Sequence, residues 1–289
     1  LTIGQVYTHL LTELKAAFAY DEAREMALRL LEHHLQISRA KVMVQFKIEI
    51  PDSSLPPLAL AMEDLLAHKP IQYVLGKTQF LEGEFIVNQH VLIPRPETEE
   101  LVQSVISELK TVVADINFPM KILDIGTGSG CIAVSLKNCF PDMVVFAMDV
   151  SEDALQVARA NALNNKADLV FCQADILDFE TLEGLPVFDI IISNPPYILE
   201  REKNLMQKNV LDYEPAQALF VPDDNPLLYY EAIADYADLS LRPGGYIFLE
   251  INESFGEELK SLYLKHGFNN VEIVKDLFGK DRFLHCKSN

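Results

Sequence analysis

The sequence predicts an α/β protein: a doubly wound, mainly parallel sheet with an antiparallel C-terminal hairpin, preceded by a small all-helical domain. Three observations carry this. From Lys121 onward, short apolar runs alternate with helical stretches, the pattern of parallel strands joined by crossover helices. The last two apolar runs have no helix between them, only Lys275 to Asp281 with Gly279 at the turn, so they should pair as a hairpin with one antiparallel strand. Residues 1–70 show helical periodicity alone.

The chain of 289 residues has room for one large domain and a small one, because single cores stop growing near ~250–300 residues. With 49% hydrophobic and 23% charged residues, its composition is that of an ordinary globular protein.

In the helical part, Val6, Leu10, Leu11 and Leu14 recur at helical spacing, and Met26, Ala27, Leu30 and Leu31 follow behind Asp21 as cap. Leu58, Met62, Leu65 and Leu66 form a third stripe after the breaks at Pro51-Asp52-Ser53-Ser54 and Pro56-Pro57. Past Pro70 come Gln79-Phe80-Leu81 and Glu84-Phe85-Ile86-Val87 on either side of a Glu82-Gly83 turn, which reads as a hairpin. The expected organisation is a helical domain over 1–70, a hairpin linker over 71–93 and the sheet domain over 94–289. That last domain should open on a helix: Glu97, Glu99 and Glu100 follow Pro96 at its positive end, and Leu101, Val102, Val105, Ile106 and Leu109 form its apolar face. The strands then fall at 121–125, 144–148, 169–172, 188–193, 246–251, 271–274 and 282–286.

The formal charge is −19, and residues 71–289 hold 17 basic against 34 acidic residues. The larger domain therefore repels phosphate backbones on average, which weighs against a DNA or RNA substrate. The four cysteines include no Cys-x-x-Cys pair and no matched histidine spacing, so neither a metal site nor a disulfide framework is expected, and a reducing cytosol is the simplest home. No segment reaches ~18 uninterrupted apolar residues, and no charged-then-apolar secretory pattern opens the chain. It starts at Leu1 rather than Met, which leaves room for a few native residues ahead of it.

Asp124-Ile125-Gly126-Thr127-Gly128-Ser129-Gly130 follows the first strand of the sheet domain directly and opens a helix. Without Cβ atoms, backbone there can pass close to a ligand, so a nucleotide-like molecule is expected. The second strand ends at Asp149, near the ~20-residue spacing for a carboxylate that binds ribose hydroxyls. A packing turn would account for the glycines alone, but not for their place between strand and helix with this acid following.

The Gly-x-Gly-x-Gly spacing resembles the first motif of class I (Rossmann-like) methyltransferases, whose cofactor, S-adenosyl-L-methionine, has no pyrophosphate. That resemblance sets Gly126, Thr127, Gly128, Ser129 and Gly130 against the methionine and ribose of the cofactor. It also places Asp175 and Ile176 beside the adenine, Asp175 accepting from the exocyclic amine and Ile176 packing on the ring or offering its N–H.

The fourth strand runs into Asn194-Pro195-Pro196-Tyr197 at the carboxyl edge of the sheet, where open α/β sheets bind ligands. Methyl transfer from a sulfonium is an in-line displacement that needs a nitrogen lone pair aimed at the methyl carbon. The Asn194 side-chain oxygen and the Pro195 carbonyl can each accept one N–H of a planar NH₂, and Asn194 is expected to border cofactor and substrate alike. The prolines lock φ and keep the carbonyls aimed outward, Pro196 forming part of the substrate wall, while Tyr197 offers a flat face for stacking.

These motifs together resemble the HemK/PrmC family, the protein-(glutamine-N5) methyltransferases of class 1 peptide-chain release factors. The resemblance covers nearly the whole chain. It rests on Ile93-Pro94-Arg95-Pro96-Glu97-Thr98-Glu99, on 123–130, on Asn194-Pro195-Pro196-Tyr197-Ile198, and on Tyr213-Glu214-Pro215 with Ala218-Leu219. It implies methyl transfer from S-adenosyl-L-methionine to the side-chain amide nitrogen of the glutamine in a Gly-Gly-Gln motif, leaving S-adenosyl-L-homocysteine. The implied partner is a class 1 release factor, gripped by the helical domain and hairpin, with no direct nucleic-acid substrate, no membrane, and action as a cytoplasmic monomer. Arg95 would position the substrate loop or pair with an acid such as Glu97. One departure is Asn252 after Glu250-Ile251, where the family is expected to carry glycine more often.

Three rivals remain at this stage. An N6-adenine methyltransferase would hold an exocyclic amine on Asn194 and Pro195, but the chain is acidic and has no Lys/Arg-rich recognition module. A nicotinamide-dependent oxidoreductase would use Gly126, Gly128 and Asp149, yet would have no role for Asn-Pro-Pro-Tyr. A non-catalytic binding protein would not need Asn194 and Tyr197 intact.

Overall fold

Thr2 caps the first helix through a reciprocal pair of bonds, its hydroxyl accepting from the Gln5 N–H at 3.3 Å and the Gln5 side chain accepting from the Thr2 N–H at 2.9 Å. The computed structural model to which this helix belongs describes residues 1–112 and 119–289. They divide into two units, one of Leu1–Lys77 with Gln207–Tyr213 and one of Thr78–Met206 with Glu214–Asn289.

In the first unit, α1 (Ile3–Leu14) buries Ile3, Val6, Leu10 and Leu14, the stripe that periodicity places on one face. The next helix, α2 (Tyr20–Leu35), has Ala19 at its N-cap with no side-chain bond. Asp21 therefore lies inside the first turn, where its charge meets the positive helix end, and does not close the helix as the sequence suggests. After α3 (Arg39–Val44), α4 (Leu55–Leu66) starts on Pro56-Pro57, tolerated there because first-turn N–H groups need no helical partner, and buries Leu58, Ala61 and Leu65. A short α5 (Ile71–Leu75) adds Ile71 and Leu75 to the same core and ends at Gly76, whose φ of 70° suits glycine.

Of the stretch 71–93, residues 77–86 form the hairpin, β1 (Lys77–Phe80) and β2 (Gly83–Ile86). Phe80 and Phe85 meet edge to face and are buried with α6 (Pro96–Val112) in one core layer of the second unit. Then follow β3 (Lys121–Ile125), α7 (Cys131–Cys139), β4 (Val144–Asp149), α8 (Glu152–Asn164), β5 (Val170–Gln173) and β6 (Phe188–Ser193). Past β6 the chain makes β7 (Ile198–Leu199), joins the first unit as the one-turn α9 (Lys208–Leu211), and returns as β8 (Phe220–Val221), parallel to β7. Within the first unit, the Tyr213 hydroxyl anchors this excursion by donating to the Ala67 carbonyl at 2.7 Å. The unit closes with α10 (Leu228–Ser240), β9 (Leu241–Glu250), α11 (Gly256–Lys265), β10 (Asn269–Lys275) and β11 (Asp281–Lys287).

The seven-stranded sheet has the order β10-β11-β9-β6-β3-β4-β5. Through the middle of the central strands, side chains alternate between its two faces. Leu123, Ile125, Ile191, Ile247 and Leu249 pack with α10 and α11, while Ile122, Ile190, Ile192 and Phe248 pack with α6 and α7. A sheet apolar on both faces and covered by helices on both is the doubly wound arrangement. The hairpin forms as expected, and β11 is the antiparallel strand, lodged between β9 and β10.

β9 begins five residues before the expected Tyr246, because Arg242-Pro243-Gly244-Gly245 joins the strand through a register shift against β6. At Gly245 a Cβ would come within 2.8 Å of the Asp189 carbonyl, so only glycine admits this approach. The chain leaves β3 for β4 and β5 on one side, then returns to β6 on the other, so a crevice opens at the carboxyl ends of β3, β4 and β6.

Candidate active site

The three glycines after β3 all lie in the left-handed region, Gly126 at φ 70°, Gly128 at 54° and Gly130 at 80°. They serve two ends. A Cβ on Gly126 would meet nothing within 4 Å, and one on Gly128 only the Gly126 carbonyl at 4.0 Å, so both look onto open space. At Gly130 a Cβ would stand 3.1 Å from the Ala158 Cβ, so this glycine lets α7 and α8 come together. Gly130→Ala is expected to cost about 2–3 kcal/mol of stability from the left-handed backbone and the crowding together. A denaturation midpoint equal to that of the parent would show that neither operates.

Asp124 sits beneath the loop, fully buried. One oxygen accepts from the Thr127 hydroxyl at 2.6 Å and from the Ala133 N–H at 3.2 Å, tying the loop to the first turn of α7. The other meets no partner among the described residues. Burial pushes its carboxyl up to about 7 against the pull of these donors. A buried amide, Asn161 of α8, donates to the carbonyls of Ser129 (2.8 Å) and Ile86 (2.9 Å) and accepts from the Ile86 N–H at 2.6 Å, pinning loop and hairpin together.

Asp149 ends β4. One of its oxygens accepts from the Gly128 N–H at 2.9 Å and the other from the Ser151 N–H at 3.0 Å. Each oxygen thus keeps a lone pair for a ligand. Burial holds this carboxyl above the ordinary aspartate range, opposed by the backbone N–H groups.

β6 ends at Ser193, whose hydroxyl donates to the Ile125 carbonyl at 2.7 Å and sews the strand ends together. Next to it, the Asn194 side-chain NH₂ donates to the Thr98 hydroxyl oxygen at 3.0 Å. Thr98 in turn donates to one oxygen of Glu250 at 2.7 Å, and the Tyr197 hydroxyl donates to the other at 2.9 Å. Glu250 is buried, which raises its carboxyl; the Thr98 and Tyr197 hydroxyls pull it back. Asn252, the residue that departs from the expected glycine, donates to the Tyr197 carbonyl at 3.1 Å and accepts from the Ser254 N–H at 3.0 Å, so its side chain braces the turn.

These elements surround a cavity of about 490 Å³ at the carboxyl edge of the sheet. Of the residues singled out from sequence, Gly126, Thr127, Gly128, Ser129, Asp149, Asp175, Ile176, Asn194, Pro195 and Pro196 line it. Asp175 is held in place by accepting from the Leu177 N–H at 2.9 Å, and Ile176 is buried beside it. Gly130, Tyr197 and Arg95 are not in the lining. The Tyr197 ring packs against the core below the sheet edge instead of offering a stacking face. Arg95 meets Glu214, 119 residues on, and not the neighbouring Glu97. Glu214 is buried and also accepts from the Ile93 N–H at 3.3 Å, so this pair fastens two cavity walls, at Pro94 and Pro215. Its burial lifts the Glu214 carboxyl, and the Arg95 guanidinium opposes that lift.

Sequence reasoning assigned no site role to Thr98, which lines the cavity, nor to Asn161, Glu214, Glu250 and Asn252, which brace its walls. For Thr98 a signal exists: it falls three and four positions before Leu101 and Val102, on the apolar face of α6, where a polar side chain needs a buried partner.

Residues 104–216 match the family model of the methyltransferase small domain, and residues 5–76 that of the PrmC N-terminal domain. The chain is 42% identical over 284 residues to a release factor glutamine methyltransferase of Flavobacterium psychrophilum, covering 98% of each. It is 44% identical over 220 residues to a protein of the same name from Bacteroides thetaiotaomicron, covering 76% of each. Among solved structures, a 16S rRNA methyltransferase of T. thermophilus in complex with AdoMet and guanosine shares the fold at TM-score 0.51. That match is 17% identical and spans 74% of this chain and 50% of the other.

Proposed function

Since the chain belongs to the release factor glutamine methyltransferase family, we propose that it methylates the side-chain amide of a Gly-Gly-Gln glutamine in a class 1 peptide-chain release factor, using S-adenosyl-L-methionine. The observation that carries the reading is that one cavity is lined by the glycine loop, by Asp149 and by Asn194 with Pro195.

The residues present fit such a cofactor. Gly126 and Gly128 leave room that any Cβ would fill. Asp149 keeps a lone pair on each oxygen for the ribose hydroxyls, and Asp175 and Ile176, in the same lining, would hold the adenine. Among the described residues no Lys or Arg lines the cavity, whereas two aspartates do, which suits a cationic ligand without pyrophosphate. When bound, that cofactor supplies an electrophilic methyl group on a sulfonium.

The chain's own residues then hold the amide. The Asn194 oxygen and the Pro195 carbonyl each accept one N–H, which fixes the nitrogen for in-line attack. Charge that gathers on the nitrogen as the bond forms lies against two fixed oxygens that need no reorganisation, and it is relieved when one of the two N–H protons departs to water. Pro196 walls the substrate side, and Tyr197 holds the turn through Glu250. The N-terminal helical unit and the hairpin supply the grip on the release factor. Among the described residues no helix is long and apolar enough to cross a membrane. The free cysteines suit a reducing cytoplasm.

Incubation with a class 1 release factor and methyl-labelled S-adenosyl-L-methionine should label the factor only while its Gly-Gly-Gln glutamine is present. Label that survives a Gln→Ala change in that motif, or that appears on adenine in DNA, would defeat this reading.

A further inference from the structure

An asparagine side chain has nearly the same shape after half a turn about its last bond, which exchanges its oxygen and its NH₂. For Asn194 that exchange would be decisive, because an NH₂ facing the substrate amide would set donor against donor. Something must fix which way the amide faces.

Glu250, at the end of β9, supplies the rule. Its two oxygens are both occupied as acceptors, one from the Thr98 hydroxyl at 2.7 Å and the other from the Tyr197 hydroxyl at 2.9 Å. The single hydroxyl proton of Thr98 is thereby spent. What Thr98 offers Asn194 at 3.0 Å is a lone pair, and only an N–H can meet it. With the amide turned round, two oxygens would face each other with no proton between them.

The parts of this chain are held firmly. Thr98 is buried in the first turn of α6, its own N–H donating to the Arg95 carbonyl at 3.1 Å. Tyr230 on α10 donates to the backbone carbonyl of Glu250 at 3.1 Å. Burial raises the Glu250 carboxyl and Glu97 on α6 adds to that, while the Thr98 and Tyr197 hydroxyls and Arg282 on β11 oppose it.

We propose that Thr98 and Glu250 are positioning residues that set the orientation of the Asn194 amide, turning its oxygen toward the substrate nitrogen. Thr98 borders the cavity and acts through its bond to Asn194, whereas Glu250 lies outside the lining and acts on Asn194 two hydrogen bonds away. The inference rests on the role given to Asn194 under the proposed function.

The test compares Thr98→Val, Thr98→Ser and Glu250→Gln in the full chain. Thr98→Val keeps the shape and removes the lone pair, so kcat for release-factor methylation should fall roughly 10–100-fold while the cofactor KM stays within about threefold. Thr98→Ser restores the hydroxyl and should recover most of the loss. Glu250→Gln brings an NH₂ that can donate to Thr98, freeing the hydroxyl proton to turn toward Asn194, and should fall as Thr98→Val does. A kcat near that of the parent in Thr98→Val or in Glu250→Gln would overturn the proposal, as would a Thr98→Ser variant no better than the valine. A second measurement needs no substrate: in the protein alone, the Asn194 NH₂ protons should exchange slowly with solvent in the parent and quickly in Thr98→Val. Fast exchange in the parent would refute the orientation even if the release factor were methylated. Slow exchange, lost in Thr98→Val, with no methylation of the factor would support the orientation and remove only the substrate reading.

Discussion

Asn194→Ala is expected to lower turnover by roughly 10²–10³-fold, the loss typical when one preorganised polar group is removed from a reacting centre. The alanine deletes the acceptor for one substrate N–H and leaves the amide held by the Pro195 carbonyl alone. It also strands the Thr98 lone pair, which Asn194 satisfies at 3.0 Å. Cofactor affinity should change far less, because Asp149 at the end of β4 and the loop of Gly126 and Gly128 after β3 keep their own groups when the Asn194 side chain past β6 is removed. Single-turnover rates together with a binding isotherm separate the two effects. A variant as fast as the parent would move the reacting nitrogen elsewhere in the cavity.

The second large effect concerns binding. Asp149→Ala should weaken cofactor affinity by about 100-fold, or roughly 2.7 kcal/mol, in line with one to two charge-assisted hydrogen bonds lost. The carboxylate holds the Gly128 N–H and the Ser151 N–H at once, so its removal also loosens the loop that faces the ligand. Because burial holds this carboxyl above the ordinary aspartate range, affinity should fall as the pH is lowered, and at a higher pH than for an exposed aspartate. The alanine variant should lose that acid limb. Calorimetry across pH measures both, and an affinity within threefold of the parent would remove Asp149 from the binding site.

The parts of this site that sequence revealed are those in which neighbouring residues carry the chemistry. β3 and β6 read correctly to the residue, because each is a buried apolar run ended by Gly126 or by Asn194-Pro195. The start of β9 did not, since Arg242-Pro243-Gly244-Gly245 has turn composition and becomes strand only against β6. The Asn194 motif was legible, but its supports were not. Thr98 lies 96 residues from Asn194 and 152 from Glu250, and a single sequence carries no mark of which polar residues will meet across the sheet. For the same reason Arg95 suggested Glu97, its neighbour along the chain, when its partner was Glu214. For Tyr197 the motif shows only that an aromatic follows the prolines, whereas the bond from its hydroxyl to Glu250, 53 residues on, is invisible in sequence.

β11 gives the order of strands a bearing on biosynthesis. This strand pairs with β9 through Phe283 opposite Glu250, and the Ile251 N–H donates to the Arg282 carbonyl at 2.8 Å. A nascent chain that has not yet emerged through residue 287 has β10 without its neighbour and β9 with a bare edge, open to pairing with another polypeptide. The carboxylate that governs Asn194 sits at the end of that bare strand, so the enzyme acquires an ordered centre only after residues 281–287 have been added. Until then, a fragment has its ligand loop and its Asn-Pro-Pro-Tyr turn, but the strand that carries Glu250 has no partner on its outer side.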